Sequence, residues 1–127
     1  MGHMNVQHYV GMFDGGTWNL FAQVGLTSEW MKNNDRGMAA VQMNISYRRE
    51  MTSGDLVEVR SGFLNVSERK VMFVHEMINR QTGDVAAVAE ITGVMLDSVK
   101  RKSALIPQEN LERAKELIVE YDFGRRS

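Results

Sequence analysis

The chain has 127 residues, of which 43% are hydrophobic and 24% charged, and its net charge is −1. This length is enough for one core and too short for two ordinary domains, so we predict a single domain over residues 1–127. A near-neutral chain has no general attraction to nucleic acid or anionic membranes, and the lack of cysteine excludes disulfides, thiolate catalysis and Cys-type zinc sites.

The first predicted element is a long amphipathic helix that begins after Asn5 and ends at Gly25. Its apolar residues recur at near-helical spacing, Asn5 is a favoured N-cap, and glycine is typical just beyond a helix C-terminus. The Gly15-Gly16 pair weakens the helix by roughly 1 kcal/mol per glycine, which indicates that another element packs closely there. The large aromatic side chains of this helix are expected to fill the space against a sheet: Phe13, Trp18 and Phe21.

A short helix and four strands are predicted next. The helix is expected at Ser28–Asn33. Alternating and β-branched residues predict strands at Met38–Arg49, Asp55–Val66, Lys70–Arg80 and Val85–Leu96. The last of these segments is rich in alanine, which also permits a helix, but its β-branched residues and the preceding Gly83-Asp84 turn favour a strand.

Pro107 precedes a final predicted helix, Gln108–Tyr121, which has one apolar face. A helix, an antiparallel meander and a terminal helix make an α+β pattern. No apolar run approaches the roughly 20 residues of a membrane-spanning helix, and the N-terminus lacks the basic and apolar regions of a signal peptide. We therefore expect a soluble cytoplasmic protein.

The start of the chain carries a recognisable motif: Gly2-His3-Met4-Asn5, followed by Tyr9 and by Phe13-Asp14. In this motif the chain resembles the hotdog-fold thioesterases of the 4-hydroxybenzoyl-CoA thioesterase type. Later segments agree with that family in the same order: Tyr47-Arg48-Arg49, Gly54-Asp55, Phe73 to Met77, Val85-Ala86-Ala87 and Ala104 to Pro107. The resemblance implies a long central helix wrapped by a curved antiparallel sheet, and dimers whose sheets join side by side with acyl-CoA sites at the subunit interface.

One feature of that family is missing from the sequence. The family has a catalytic aspartate three residues before the glycine of the motif, and a first strand further upstream; both positions would precede Met1. Either the native start lies upstream of Met1, or the chain is a variant without this acid, or Gly2-His3-Met4 is a remnant of cloning. We expect the first of these.

The start of the first helix is the expected site of carbonyl polarisation. Backbone N–H groups in the first turn have no partner within the helix and carry the positive end of its dipole. The amides of Val6, Gln7 and His8, aimed at a thioester oxygen, would form an oxyanion hole. The alternative is an ordinary capped helix. Expected substrate contacts are Gly2, Val6, Gln7, Tyr9 and Phe13.

Three residues are the expected catalytic groups. Asn5 caps the helix and is a candidate for orienting water or the thioester, and His3 is either a base or a structural loop residue. Asp14 lies nine residues after Asn5, about 13 Å along the helix axis. Asp14 would therefore act on a partner's site, and its alternative reading is a structural surface residue.

Lys100-Arg101-Lys102, the basic cluster after the last strand, is the first choice for binding the CoA phosphates; Arg48-Arg49 and Arg69-Lys70 are the other basic clusters. A zinc site from His3, His8 and His75 has unsuitable spacing, so neither a metal nor another cofactor is expected. The predicted activity is acyl-CoA hydrolysis by a homodimer or homotetramer. The alternatives are a non-catalytic acyl-CoA-binding hotdog protein and a hotdog hydratase or dehydratase.

Overall fold

The computed structural model describes residues 6–51 and 54–121, with side chains from residue 11 onward. The helices are α1 (Val6–Ala22), α2 (Ser28–Asn33) and α3 (Gln108–Glu116), and the strands are β1 (Arg36–Tyr47), β2 (Val57–Val66), β3 (Lys70–Asn79), β4 (Val85–Asp97) and β5 (Lys102–Ser103). No helix within these residues is long and apolar enough to cross a membrane. The three helices and five strands make this an α+β fold, as predicted.

The strands form one antiparallel sheet in the order β1-β4-β3-β2, and the two-residue β5 pairs with the end of β4. Directly paired residues share a face of the sheet, so Phe63, Phe73, Ile91 and Met43 form one row across all four long strands. Phe63, Phe73 and Ile91 are buried, whereas Met43, on the outer strand β1, is exposed. The core therefore lies under the β2, β3 and β4 part of this face.

Helix α1 has 17 residues and packs on that face, above β2 and β3. The Phe21 ring stacks on Phe63 with a centroid distance of 6.1 Å and meets the edge of Phe73 at 5.3 Å. Phe13 is as fully buried as Phe21. Trp18 does not fill the space as predicted, because it stays 39% exposed on the side of the helix that faces β1.

Gly16 lies at a close approach between α1 and the sheet. A Cβ atom added there would lie 3.0 Å from Val59 Cγ1, 3.1 Å from Ser61 Oγ and 3.2 Å from His75 Nδ1, whereas one added at Gly15 meets nothing within 4 Å. The close packing predicted from the glycine pair is therefore confirmed, and Gly16 alone accounts for it.

We expect Gly16→Ala to destabilise the fold by about 1–3 kcal/mol, because the added methyl group overfills a packed interface. Gly15→Ala is the matched control, and it should stabilise the fold by up to about 1 kcal/mol through helix propensity. Urea unfolding of both variants measures the difference. Equal changes in the two variants would contradict the close approach at Gly16.

One predicted helix end is confirmed and the other is wrong. Regular helix α1 runs to Ala22, and Gly25, at φ +83°, is the C′ residue that closes it: Leu26 N–H donates to the Phe21 carbonyl at 3.0 Å and Gly25 N–H to the Ala22 carbonyl at 3.2 Å. Helix α3 ends at Glu116, before the predicted Tyr121. The reason is a competing partner: Val119 N–H donates to the Phe63 carbonyl at 2.8 Å, so the chain leaves the helix to lie along β2.

Candidate functional site

A cavity of about 120 Å³ lies between α1 and the β1, β4 and β3 part of the sheet. Helix α1 contributes mainly aromatic residues together with a carboxylate and a hydroxyl: Phe13, Asp14, Thr17, Trp18 and Phe21. The sheet contributes an apolar floor: Met38, Ala40, Met43, Phe73, Ile91 and Gly93. The cavity is thus apolar inside and bears one carboxylate, that of the exposed residue Asp14.

The cavity exists because α1 leaves part of the sheet uncovered. The helix packs over β2 and β3 on one face of the sheet, whereas the described contacts of β1 are chiefly with the neighbouring strand β4 and with the short helix α2. Met43 and Tyr47 on this face are 41% and 49% exposed. A bulge between Ala40 and Gln42 interrupts β1 beside the cavity, and bulges of this kind often lie next to functional sites.

The structure brings together two of the residues expected at the site, Phe13 and Asp14. Val6, Gln7 and Tyr9 lie in the first turns of α1, as expected. Gly2, His3 and Asn5 lie outside the described residues. Among the residues that the structure does describe, no Lys or Arg forms an ion pair with Asp14.

The predicted phosphate-binding cluster spans the connection from β4 to β5 and the first residue of β5. Lys100, Arg101 and Lys102 are all exposed there. Arg101 lines a second cavity, of about 320 Å³, that also includes Met38. Met38 lines both cavities, and of the other strand residues that line the second cavity, Gly37, Ala39 and Leu96 lie on the opposite face of the sheet from Met38.

Asp97 shapes this connection. Its Oδ1 accepts hydrogen bonds of 2.9 Å from the backbone N–H groups of Lys100 and Val99, and its Oδ2 lies 3.2 Å from Arg36 Nη1. The bond from Lys100, supported by those to Val99 and Arg36, holds the pKa of Asp97 below its ordinary value. Because the charged Asp97 carboxylate holds the turn, the backbone that carries the Lys100 and Arg101 side chains is fixed in position.

A buried histidine, which the sequence analysis named only in the rejected zinc site, lies under α1. His75 is fully buried on β3, its Nε2 lies 2.8 Å from Thr17 Oγ1, and its Nδ1 lies 2.5 Å from Ser61 Oγ. Thr17 Oγ1 also donates to the Phe13 carbonyl at 3.0 Å. A hydroxyl has one proton, so Thr17 accepts from Nε2–H and Ser61 donates to Nδ1. This network fixes the helical turn that carries Phe13 and Asp14.

Ser61 and His75 have the spacing of a nucleophile and its base, but their surroundings do not suit that chemistry. Burial lowers the pKa of His75 to about 4, and the group on its second nitrogen is the neutral Thr17 hydroxyl rather than a carboxylate. An imidazolium formed during catalysis would therefore have no compensating charge. Within residues 6–51 and 54–121, no group of three or more His, Asp or Glu residues is placed to hold a metal ion.

Comparison with known proteins matches residues 1–114 to the thioesterase-like superfamily. The long-chain acyl-CoA thioesterase FadM of Escherichia coli (strain K12) is 23% identical over 120 residues, which cover 91% of this chain and 87% of FadM.

Solved structures share the fold at low sequence identity. A hypothetical protein from Staphylococcus aureus in complex with CoA has a TM-score of 0.86 at 14% identity, covering 97% of this chain and 79% of its own. The 1,4-dihydroxy-2-naphthoyl-CoA thioesterase of Synechocystis has a TM-score of 0.79 at 17% identity, covering 91% and 85%. The resemblance inferred from the sequence is confirmed: with most of its length matched, the chain belongs to the thioesterase-like superfamily.

Proposed function

We propose that this protein hydrolyses acyl-CoA thioesters. The observation that carries the proposal is the apolar cavity beside α1, which offers space for an acyl group and a carboxylate, Asp14, in its wall. In the reaction, water adds to the thioester carbonyl, the C–S bond breaks, and the products are a carboxylic acid and free CoA. The family relationship and the known thioesterases among the relatives support this chemistry.

Polarisation of the carbonyl is assigned to the start of α1. The helix begins at Val6, and its first N–H groups, including those of Val6, Gln7 and His8, have no partner within the helix. Donors of this kind, aimed at the developing oxyanion, contribute roughly 3–4 kcal/mol in other acyl-transfer enzymes. Gly2, His3, Asn5 and Tyr9 remain proposed contacts near this end of the helix.

Asp14 is assigned the activation of water, or direct attack on the carbonyl carbon. Asp14 lies eight positions after Val6 in one continuous helix, about 12 Å along its axis. The carboxylate of one subunit therefore serves a carbonyl held at the helix start of its partner. This arrangement requires a dimer, with the two α1 helices antiparallel across the symmetry axis.

The proposed dimer joins two sheets through β1. This strand pairs with β4 on one side and forms an edge of the described sheet. An unpaired edge is a ready partner for another strand, and β1 carries exposed apolar residues at Val41, Met43 and Tyr47. Such a dimer would complete the hotdog arrangement, in which the curved sheet wraps α1 as the long central helix. A tetramer of two such dimers and a cytoplasmic location remain predictions.

The CoA phosphates are assigned to Lys100, Arg101 and Lys102. All three are exposed, and Met38 lines both the cavity that includes Arg101 and the acyl cavity. Cationic side chains at such a position bind phosphate through charge-assisted hydrogen bonds. The relatives differ in the acyl groups in their names, which include long-chain and naphthoyl groups, so these names do not select the acyl group here.

The test is steady-state hydrolysis of a series of acyl-CoA esters, from acetyl to palmitoyl and including benzoyl, with detection of the released thiol. We expect turnover of at least one ester well above a catalyst-free blank. The same chain is assayed for hydration of an enoyl-CoA, and its binding of CoA esters is measured by calorimetry. Binding without turnover would replace the proposal with a carrier function, and hydration with no thiol release would replace it with a hydratase.

A further inference from the structure

The size of the cavity beside α1 limits the acyl group that it accepts. Its volume is about 120 Å³, and apolar cavities of about 150 Å³ take up a benzene ring. Its walls include Phe13, Phe21, Phe73 and Ile91, which are at most 3% exposed and belong to the packed core. Core side chains packed at crystal-like density move little, so the cavity does not enlarge easily where these four residues form its wall.

Met38 and Gly93 bound another part of the same cavity. They lie on neighbouring strands, and a Cβ atom added at Gly93 would be 3.1 Å from both Cγ and Sδ of Met38. The Met38 side chain therefore occupies the space that a larger residue at position 93 would take. Met38 is half-buried and also lines the 320 Å³ cavity beside Arg101. Methionine is flexible, so this is the part of the wall that a substitution changes most readily.

We propose that Met38, resting on Gly93, sets the depth of the acyl cavity and restricts the enzyme to acyl groups of about one ring or a short aliphatic chain. The proposal rests on the thioesterase function and adds to it the class of substrate. Truncating Met38 removes side-chain atoms from the wall and deepens the cavity, and a larger residue at position 93 displaces Met38 and narrows the cavity.

The experiment measures kcat/KM of the purified full chain for acetyl-, butanoyl-, hexanoyl-, benzoyl-, decanoyl- and palmitoyl-CoA. For the unmodified protein we expect the best values among butanoyl, hexanoyl and benzoyl esters, and at least a tenfold fall by decanoyl, because a single misfit methylene group costs roughly tenfold or more. Met38→Ala should raise the decanoyl-to-butanoyl ratio by about tenfold. Gly93→Val should lower the benzoyl-to-acetyl ratio.

Met72→Ala is the matched control, because Met72 lies on β3 beside Phe73, its side chain points to the opposite face, and it does not line the cavity. Its ratios should equal those of the unmodified protein. Thermal unfolding of each variant separates a changed cavity from a damaged fold. Palmitoyl-CoA hydrolysed as well as butanoyl-CoA, or a Met38→Ala profile that does not move, would overturn the inference while leaving the thioesterase function intact.

A second measurement keeps the inference testable without turnover. Calorimetry with non-hydrolysable S-alkyl-CoA thioethers of the same chain lengths reports the size limit through affinity alone. If the affinities show the size limit but no ester is hydrolysed, the proposed reaction is rejected and the cavity depth that we assign to Met38 is supported. If the affinity instead rises steadily up to the longest alkyl chain, the cavity depth that we assign to Met38 is rejected.

Discussion

Asp14→Asn is expected to lower kcat for thioester hydrolysis by about 10²–10⁴-fold, the usual contribution of a positioned general base. The amide keeps the size and polarity of the carboxylate but neither accepts a proton at neutral pH nor attacks the carbonyl. Asp14 is an exposed residue at the edge of the cavity, so the substitution should change the free energy of unfolding by less than about 0.5 kcal/mol. This variant should therefore lose activity while keeping the stability of the unmodified protein.

The control for this substitution is Asp84→Asn, which makes the same chemical change at an exposed position in the turn before β4. Its kcat and KM should match those of the unmodified protein. Full activity of Asp14→Asn would remove Asp14 from the mechanism and move the search for the acid to the residues around His3 and Asn5.

Mixed dimers test whether the site is shared between subunits. If Asp14 serves the partner's helix start, Asp14→Asn and Asn5→Ala disable each homodimer at different places. A dimer with one subunit of each kind then holds one complete site, so co-expression should restore measurable activity. A lack of recovery, with mixed dimers shown to form by mass spectrometry, would place both residues in a site within one chain.

The secondary structure was largely predictable from local patterns. Alternation and β-branched residues predicted the four long strands to within about two residues at each end. The predictions that failed concern features without a local signal in the sequence. The end of α3 moved because Val119 bonds to Phe63, and β5 was missed because two residues carry no periodic pattern.

The candidate site was predictable only in part. The spacing of Phe13 and Asp14 after the helix start suggested a role for both, and the resemblance supplied that role. The Met38 and Gly93 contact was not predictable, because 55 positions separate the two residues and only the β1–β4 register brings them together. The signal available for His75 was Gly16: a glycine inside a helix indicated a close neighbour, without identifying it.

His75 is expected to make the fold less stable as pH falls from about 6.5 to about 4. Burial lowers its pKa from 6.5 to about 4 in the folded chain, so in this window the unfolded chain binds a proton that the folded chain does not. Stability therefore rises with pH across the window and levels off above it. The whole effect is about 3 kcal/mol, since each unit of pKa corresponds to 1.36 kcal/mol.

Because other groups also titrate at low pH, the measurement is a difference between two proteins. The pKa values of Glu58 and Asp97 are lowered, chiefly by hydrogen bonds from Arg60 and from the Lys100 backbone N–H respectively, and both proteins share these effects. His75→Gln removes the titration and keeps a donor and an acceptor for Thr17 and Ser61. Urea unfolding at several pH values should therefore show a steeper loss of stability below pH 6.5 for the unmodified protein than for the variant.

The variant also tests the network itself. The His75 ring packs between Phe13 and Phe73, with ring centroids 5.7 and 5.4 Å away. We expect His75→Gln to lower the free energy of unfolding at pH 8 by about 1–3 kcal/mol, because this packing is lost. The two stability curves should then converge as pH falls, because only the unmodified protein bears the cost of keeping a buried imidazole neutral. If the two stability curves stay parallel from pH 8 to pH 4, water reaches the His75 ring and α1 does not bury it.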